Sequence, residues 1–495
     1  MACLALLLTL LFPSGSLPGE WTVREKPRPR LRALLIGCDE FVTQENTWPA
    51  ADNNLKKIAD VLMSDRRGYA LIRSASSTVS SLDALEALAD ATFQNARPGD
   101  LSLLYFSTHG LLSESEYGAT AALLLSDGRE ECAVTGGDLE RILDRIPGRK
   151  MLILDACNSG AMIGKGLSGR AERVFFAGKD YRVLCSAGGS EASWYWQGKG
   201  SGLTGASYFA EVLAAGLSEG GDHAADINRD GNITLEEIYA FLLDNCAVST
   251  PQVYPQQDRD FILFSYDPDK PVRMDRAVTD ITFEDTLLTA GDSEAKFSFT
   301  MQRQAELYYQ IIYHQDGVWQ FDSAQQFLDG EQPDGTVLPG RKERTLVLST
   351  PGEDLSGYAI IQLITREDGV THYQGSRLLC VQPAEGEVRL AVETESAFTP
   401  GIGQEMPILV RHDVPCGLSV SILNAQGRVV RRLSYDAPSR PQQLTPEAST
   451  FYWNGALSSG AAAPPGLYRA QVQVRLGEKT YEAVSPPFQL MEREP

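Results

Sequence analysis

Two short runs in this chain hold the residue types that thiol chemistry requires. One is Tyr105-Phe106-Ser107-Thr108-His109-Gly110, and the other is Ile153-Leu154-Asp155-Ala156-Cys157-Asn158-Ser159-Gly160. A cysteine attacks a carbonyl as the thiolate, so it needs a nearby base that takes its proton and later protonates a leaving amine. Cys157 reads as that nucleophile and His109 as that base, 48 residues apart. The chain has 5 histidines, and before residue 270 only His109 and His223 occur. His223 lies in a polar Gly-Gly-Asp-His stretch and reads as a loop residue. Gly110 and Gly160 are expected to keep the backbone clear where a peptide approaches. The plain alternative is a buried cysteine and an unrelated histidine, each at a strand end. Cys185, inside an apolar run, reads as core, and Cys38 is assigned no chemistry.

A second chemical pattern lies at 226–237. Oxygen-bearing side chains stand at positions 1, 3, 5 and 9 of a twelve-residue loop (Asp226, Asn228, Asp230, Thr234), with Gly231 at 6, Asn232 at 7, Ile233 at 8 and Glu237 at 12. That is the EF-hand pattern, in which position 7 offers its carbonyl and the last glutamate supplies carboxylate oxygens to Ca2+. A helix follows the loop, but the preceding one ends near residue 217, so a full helix–loop–helix is not predicted. A solvated polar turn is the bland reading.

The elements that must position these groups follow from hydrophobic patterning. Runs at 33–37, 69–72, 101–106, 151–154, 183–185 and 261–264 read as strands. Helical spacing appears at 50–63, 82–93, 138–146, 204–217 and 234–244. Strands apolar throughout and separated by helices predict a mostly parallel sheet covered on both faces. In such a sheet reactive groups sit at the carboxyl ends of strands, where His109 and Cys157 both fall. Beyond residue 268 the pattern becomes strand-like with frequent turns. It predicts two β-sandwiches at 275–384 and 386–490. In the second, 424–427 is a hairpin turn, Trp453 a core anchor and Pro465-Gly466 a turn into the last strand.

Over residues 30–268 the strand order, Ser-Thr-His-Gly and Asp-Ala-Cys-Asn-Ser-Gly resemble the caspase-like cysteine peptidases, specifically the bacterial metacaspase-type members. Asn158 stands where these usually carry histidine. The resemblance implies an α/β caspase-like sandwich and a Cys-His dyad, with the backbone N–H groups of Gly110 and Cys157 forming the oxyanion hole. It also implies an acidic primary pocket built from Asp155 and Asp52, hence polypeptide substrates with Arg or Lys before the cleaved bond. Asp155 capping a turn and Asp52 sitting at a helix start are the structural alternatives. Lys165, Arg170 and Arg173 lie where such enzymes often cut themselves. Clostripain-like and gingipain-like peptidases are further relatives by mechanism. Residues 386–490 look like the Ig-like sandwich first named in a flagellar hook-capping protein, and 275–384 is expected to be Ig-like as well.

Composition bounds the remainder. At 495 residues, two to four domains are expected. A net charge of -21 argues against nucleic acid as a partner. The apolar stretch at 1–12 followed by small residues predicts a signal peptide over 1–20, though without the usual leading positive charge. No later stretch is long and apolar enough to span a membrane. The 8 cysteines form no CxxC pair, so neither a zinc site nor a disulfide scaffold is predicted. The expectation is a monomeric, secreted or cell-surface cysteine endopeptidase that binds Ca2+. The rival expectation is a catalytically silent caspase-like scaffold acting as an extracellular binding or adhesion protein.

Overall fold

The computed structural model describes residues 29–492, apart from 45–50, 168–169, 197–204, 257, 271–275, 293, 316–317, 322–325, 328–331, 333, 351–352, 355, 368–369, 401–404 and 441–447. The signal peptide expected at 1–20 lies outside the described residues. In chain order the first half runs β1 (Leu31–Gly37), α1 (Ala51–Ser64), β2 (Tyr69–Ser76), α2 (Leu82–Phe93), β3 (Leu101–Ser107), β4 (His109–Ser115), β5 (Gly118–Ser126), β6 (Glu131–Thr135), α3 (Gly136–Leu143) and β7 (Arg149–Asp155). It continues with β8 (Tyr181–Cys185), β9 (Tyr195–Trp196), β10 (Ala206–Ser207), α4 (Tyr208–Leu217), β11 (Asn232–Thr234), α5 (Leu235–Asn245), β12 (Gln252–Tyr254) and β13 (Ile262–Ser265).

The central sheet has the order β12-β8-β7-β3-β1-β2. All its pairings are parallel except that of β12 with β8. Every residue of β1 and β3 is buried, which is what an all-apolar strand covered on both faces requires. Side chains alternate between the faces. Ala33, Leu35, Tyr105 and Ile153 share a core with α1, α4 and α5, whereas Leu34, Ile36, Phe106 and Leu154 share one with α2 and α3. Three features depart from the reading of the sequence. β4, β5 and β6 form a separate antiparallel sheet directly after His109, β12 adds an antiparallel edge, and 261–264 pairs with β11 instead of joining the central sheet.

The second half is all-β. One unit sets the strands Val278–Phe283, Glu294–Met301 and Gly340–Val347 against a larger sheet containing Ala305–Gln315, Gly357–Glu367 and Val370–Gln382. The other sets Leu390–Thr394, Met406–His412 and Ala448–Trp453 against a sheet centred on Gly417–Asn424 and Gly466–Leu476. Trp453 is fully buried there, and its indole N–H donates to the Ala456 carbonyl at 2.8 Å.

The first β unit is not a free appendage. In strand Gly357–Glu367, Ala359, Ile361 and Leu363 face the unit's own core, while Tyr358, Ile360 and Ile364 join the core beneath α4 and α5. Gln362, buried at this contact, accepts from the Tyr208 hydroxyl at 3.3 Å. Among the described residues no helix is long and apolar enough to cross a membrane.

Candidate active site

β3 and β7 pair in parallel with Ser107 opposite Asp155, so both chains leave the sheet at the same level. Thr108 N–H then donates to the Asp155 carbonyl at 3.3 Å, and the chain that carries His109 runs on past the start of the Cys157 segment. Gly110 is pressed onto the Cys157 backbone, where a Cβ would lie 1.6 Å from the Cys157 carbonyl oxygen. Gly160 is equally enclosed, with a Cβ meeting the Lys165 carbonyl oxygen at 2.7 Å and that of Ala187 at 2.9 Å. Both glycines therefore serve the close approach of protein backbone, a need that the sequence reading did not name.

The Cys157 sulfur accepts from Ser193 N–H at 3.3 Å and lies 3.8 Å from the Ser193 carbonyl oxygen. Burial pushes the thiol above its ordinary range. The N–H groups of Ser193, of Cys157 itself and of Gly110 oppose that shift, while the Asp155 charge adds to it. Burial also lowers the His109 pKa, with the Glu131 carboxylate acting the other way. Among the described residues no hydrogen bond joins imidazole to sulfur. Burial thus favours the neutral form of each, and on that basis a proton must move as the thiol reacts. Dyad hydrogen bonds in unliganded enzymes often tighten only in the substrate complex. Phe41 packs on His109 with ring centroids 4.5 Å apart.

Asp155 is buried at the end of β7 inside a set of hydroxyls. Tyr105 donates to it at 2.9 Å and Ser193 at 3.3 Å, and Ser207 donates as well. Burial nevertheless raises its pKa to about 6, against the pull of those bonds. Tyr195 stands among the same charges, its phenol raised first by burial and then by Asp155, Cys157 and Asp39. Asp52 is exposed in the first turn of α1, where its carboxylate accepts from the Ser76 hydroxyl. Among the described residues, Asp155 and Asp52 share no hydrogen-bond partner. The residue of α1 that reaches the Asp155 cluster is Asn54, which accepts from Ser207 N–H at 3.0 Å and donates to Ser107 at 2.9 Å.

Asp39 was missed by the sequence reading. It accepts from the N–H groups of Ala51 at 2.8 Å and Asp52 at 3.2 Å. The signal was available, because Asp39 follows β1 just as His109 follows β3. Ser193, Tyr195 and Ser207 carry no motif, and nothing local announces them.

A family model described as the caspase domain matches residues 30–262, just under half of the chain. Residues 30–262 form a caspase-like domain. The caspase domain family is one of cysteine peptidases, which act on polypeptides. Among solved structures, protein GSU0716 from Geobacter sulfurreducens is 13% identical, with 48% of this chain and 100% of that chain covered and a TM-score of 0.35. Caspase-1 from Spodoptera frugiperda is 14% identical, with 52% and 100% covered and a TM-score of 0.33. The Drosophila initiator caspase Dronc is 12% identical, with 51% and 90% covered and a TM-score of 0.30. No curated protein matches the chain.

Within the caspase-like domain, Asn158 occupies the left-handed region at φ 57°, a conformation asparagine tolerates well. Its amide donates to the Gly189 carbonyl at 3.0 Å. Cys185 is core, its thiol pushed up to about 12 by burial. Cys38 is also buried, its sulfur accepting from Ser126 N–H at 3.4 Å. His223 does lie in a turn between α4 and β11, and it is not idle there. It is buried, bonds the Leu217 carbonyl at 2.7 Å and stacks on Tyr266 at 3.7 Å.

The 226–237 loop of the caspase-like domain is internally ordered. Asp226 is buried and accepts from Gly231 N–H at 2.9 Å and Asp230 N–H at 3.3 Å. Asn228 accepts from Asp230 N–H at 2.9 Å, and Asp230 from Asn232 N–H at 2.8 Å. Gly231 takes φ +83°, which a side chain would resist. Glu237 forms a capping box with Thr234, accepting from its N–H at 2.9 Å and its hydroxyl at 2.8 Å. Among the described residues the His, Cys, Asp and Glu side chains do not gather in threes as a metal cluster. The donor chemistry is that of a hard cation: Asp226, Asn228 and Asp230 with the Asn232 carbonyl, and Thr234 and Glu237 at the helix start. β11 clips this loop to β13, tying α5 to the last strand of the domain.

Proposed function

We propose that this protein is a secreted or cell-surface, metacaspase-type cysteine endopeptidase that cleaves after Arg or Lys. The observation that carries the reading is the register of β3 and β7, which brings Gly110, next to His109, against the backbone of Cys157, whose sulfur accepts from Ser193 N–H. His109 takes the thiol proton as sulfur attacks the scissile carbonyl. The N–H groups of Gly110 and Cys157 then stabilise the oxyanion as charge develops on it. The C–N bond breaks as His109 returns the proton to the leaving amine. Water, deprotonated by His109, hydrolyses the resulting thioester and restores the thiol.

The basic preference rests on Asp155, whose carboxylate can pair a guanidinium or ammonium once its proton is displaced. Asp52 is the second acidic position proposed, and Asp39, which accepts from its N–H, adds a further carboxylate there. Ca2+ in the 226–237 loop would be held by Asp226, Asn228, Asp230, the Asn232 carbonyl, Thr234 and Glu237. It would supply charge neutralisation to this acidic turn. Ig-like character of the two β units, a signal peptide at 1–20 and a monomeric state complete the proposal. Self-processing falls after Arg170 or Arg173, which are exposed, and not after Lys165, which is buried.

The test is hydrolysis of fluorogenic peptides ending in Arg, Lys or Asp, with and without calcium. Wild type is expected to cleave the basic peptides and Cys157→Ala none. Equal rates from both proteins would leave the silent extracellular scaffold as the better account.

A further inference from the structure

Lys165 lies eight residues beyond Cys157, in the segment whose basic residues read from sequence as candidate self-cleavage positions. Instead its ammonium is buried and paired with the Glu405 carboxylate of the second β unit, the two side chains 6% and 5% exposed. The same ammonium donates to the Val253 carbonyl at 2.8 Å and stands 4.6 Å above the Tyr452 ring. The Tyr452 hydroxyl accepts from Gly166 N–H at 2.9 Å, and Glu405 also accepts from Gln256 N–H at 3.1 Å. Arg440, from the same β unit, opposes the upward shift that burial imposes on Glu191. Three side chains of the second β unit therefore bear on two loops of the caspase-like domain.

Those two loops lead directly to the nucleophile. Gly189 N–H donates to the Lys165 carbonyl at 2.9 Å and Ser190 N–H to that of Gly166 at 2.8 Å. Asn158 N–H donates to the Glu191 carbonyl at 2.8 Å, and Ser193 N–H reaches the Cys157 sulfur. The layer has no slack, since a Cβ on Gly166 would lie 2.5 Å from the Gly188 Cα. A buried ion pair holds such a junction because either charge left alone in low dielectric is strongly unfavourable.

We infer that the second β unit is part of the catalytic unit, with Glu405 and Tyr452 as positioning residues. Through Lys165 and Gly166 they fix the 187–193 loop and hence the Ser193 N–H that holds the Cys157 sulfur. This rests on the peptidase reading, and it assigns a β unit of otherwise open role to the reaction itself.

The test uses the full chain and compares wild type with Tyr452→Phe, Glu405→Gln and the double variant Lys165→Met/Glu405→Leu. The measurements are thermal midpoint, kcat and KM on an Arg peptide, and the rate of Cys157 alkylation by iodoacetamide. Tyr452→Phe removes only the acceptor for Gly166 N–H, and is expected to fold and lose about tenfold in kcat with KM nearly unchanged. Glu405→Gln strands the ammonium and is expected to lose more, while the double variant removes both charges and recovers part of the loss. Alkylation rates are expected to change in step with kcat. If the folded Tyr452→Phe and Glu405→Gln variants keep wild-type kcat and alkylation rates, the inference is overturned. If Glu405→Gln fails to fold, Tyr452→Phe decides alone. If wild type cleaves no faster than Cys157→Ala, the peptidase reading has failed, and the alkylation rates still decide whether the β unit positions the sulfur.

Discussion

Gly110 meets Cys157 so closely that a single added methyl would fall 1.6 Å from the Cys157 carbonyl oxygen and 3.1 Å from its nitrogen. The contact exists because β3 and β7 run in parallel register to their ends and the chain leaving β3 continues alongside the nucleophile. The overlap is with backbone, so no rotamer change relieves it. Gly110→Ala is expected to lower kcat/KM by about a hundredfold or more, since both oxyanion donors would move. Its thermal midpoint is expected to fall as well. A variant as active as wild type would show that these two N–H groups do not form the oxyanion site.

Burial acts on both members of the dyad in the direction that keeps them neutral, raising the thiol above 9.0 and lowering the imidazole below 6.5. The rate of Cys157 alkylation by iodoacetamide is therefore expected to keep climbing past pH 9.0 in the free enzyme. A plateau near neutral pH would mean a resting thiolate–imidazolium pair and would contradict the account of His109 as a base that acts on demand.

Asp155 titrates at about 6 because burial outweighs its hydroxyl donors. A cationic side chain binds the charged form, so KM for Arg peptides is expected to rise as pH falls through about 6. Folding raises this carboxyl from 3.8, so its favourable contribution to stability is complete below 3.8 and lost as pH rises through about 6. Asp155→Asn should therefore gain thermal midpoint relative to wild type at pH well above 6, more than it does near pH 4, while losing its preference for basic residues. A pH-independent difference in midpoint would argue that the carboxyl is not strained by burial.

Calcium bound only by the folded loop must stabilise by mass action, about 2.7 kcal/mol at a hundred times Kd. The thermal midpoint of wild type is expected to rise with added CaCl2, and that of Asp226→Ala to stay flat. Because β11 ties the loop to β13 and away from His109 and Cys157, calcium is expected to shift stability more than kcat. Identical midpoints with calcium and with chelator would remove the metal from the account.

Much of this arrangement was legible before any coordinates. The apolar runs of β1, β3 and β7 announce strands buried on both faces, and their ends carry His109 and Cys157. The antiparallel sheet after His109 was not legible, because its strands are partnered by one another and only partly apolar. Nor was the fate of Lys165, whose partner Glu405 is 240 residues away and supplies no local signal. One clue went unread: the run Tyr358-Ala-Ile-Ile-Gln-Leu-Ile364, apolar but for Gln362, is of the kind that announces β1 and β3, and it marks a strand shared between two cores.

The central claim is that Cys157 is a nucleophile serving a pocket for basic side chains. The most direct measurement is peptide mapping by mass spectrometry after treatment with an arginyl chloromethyl ketone, alongside its aspartyl counterpart. The expected result is a single arginyl adduct on Cys157, absent in His109→Ala and suppressed by excess Arg peptide, with little aspartyl labelling. Labelling spread over other cysteines, or equal labelling by the two reagents, would contradict it.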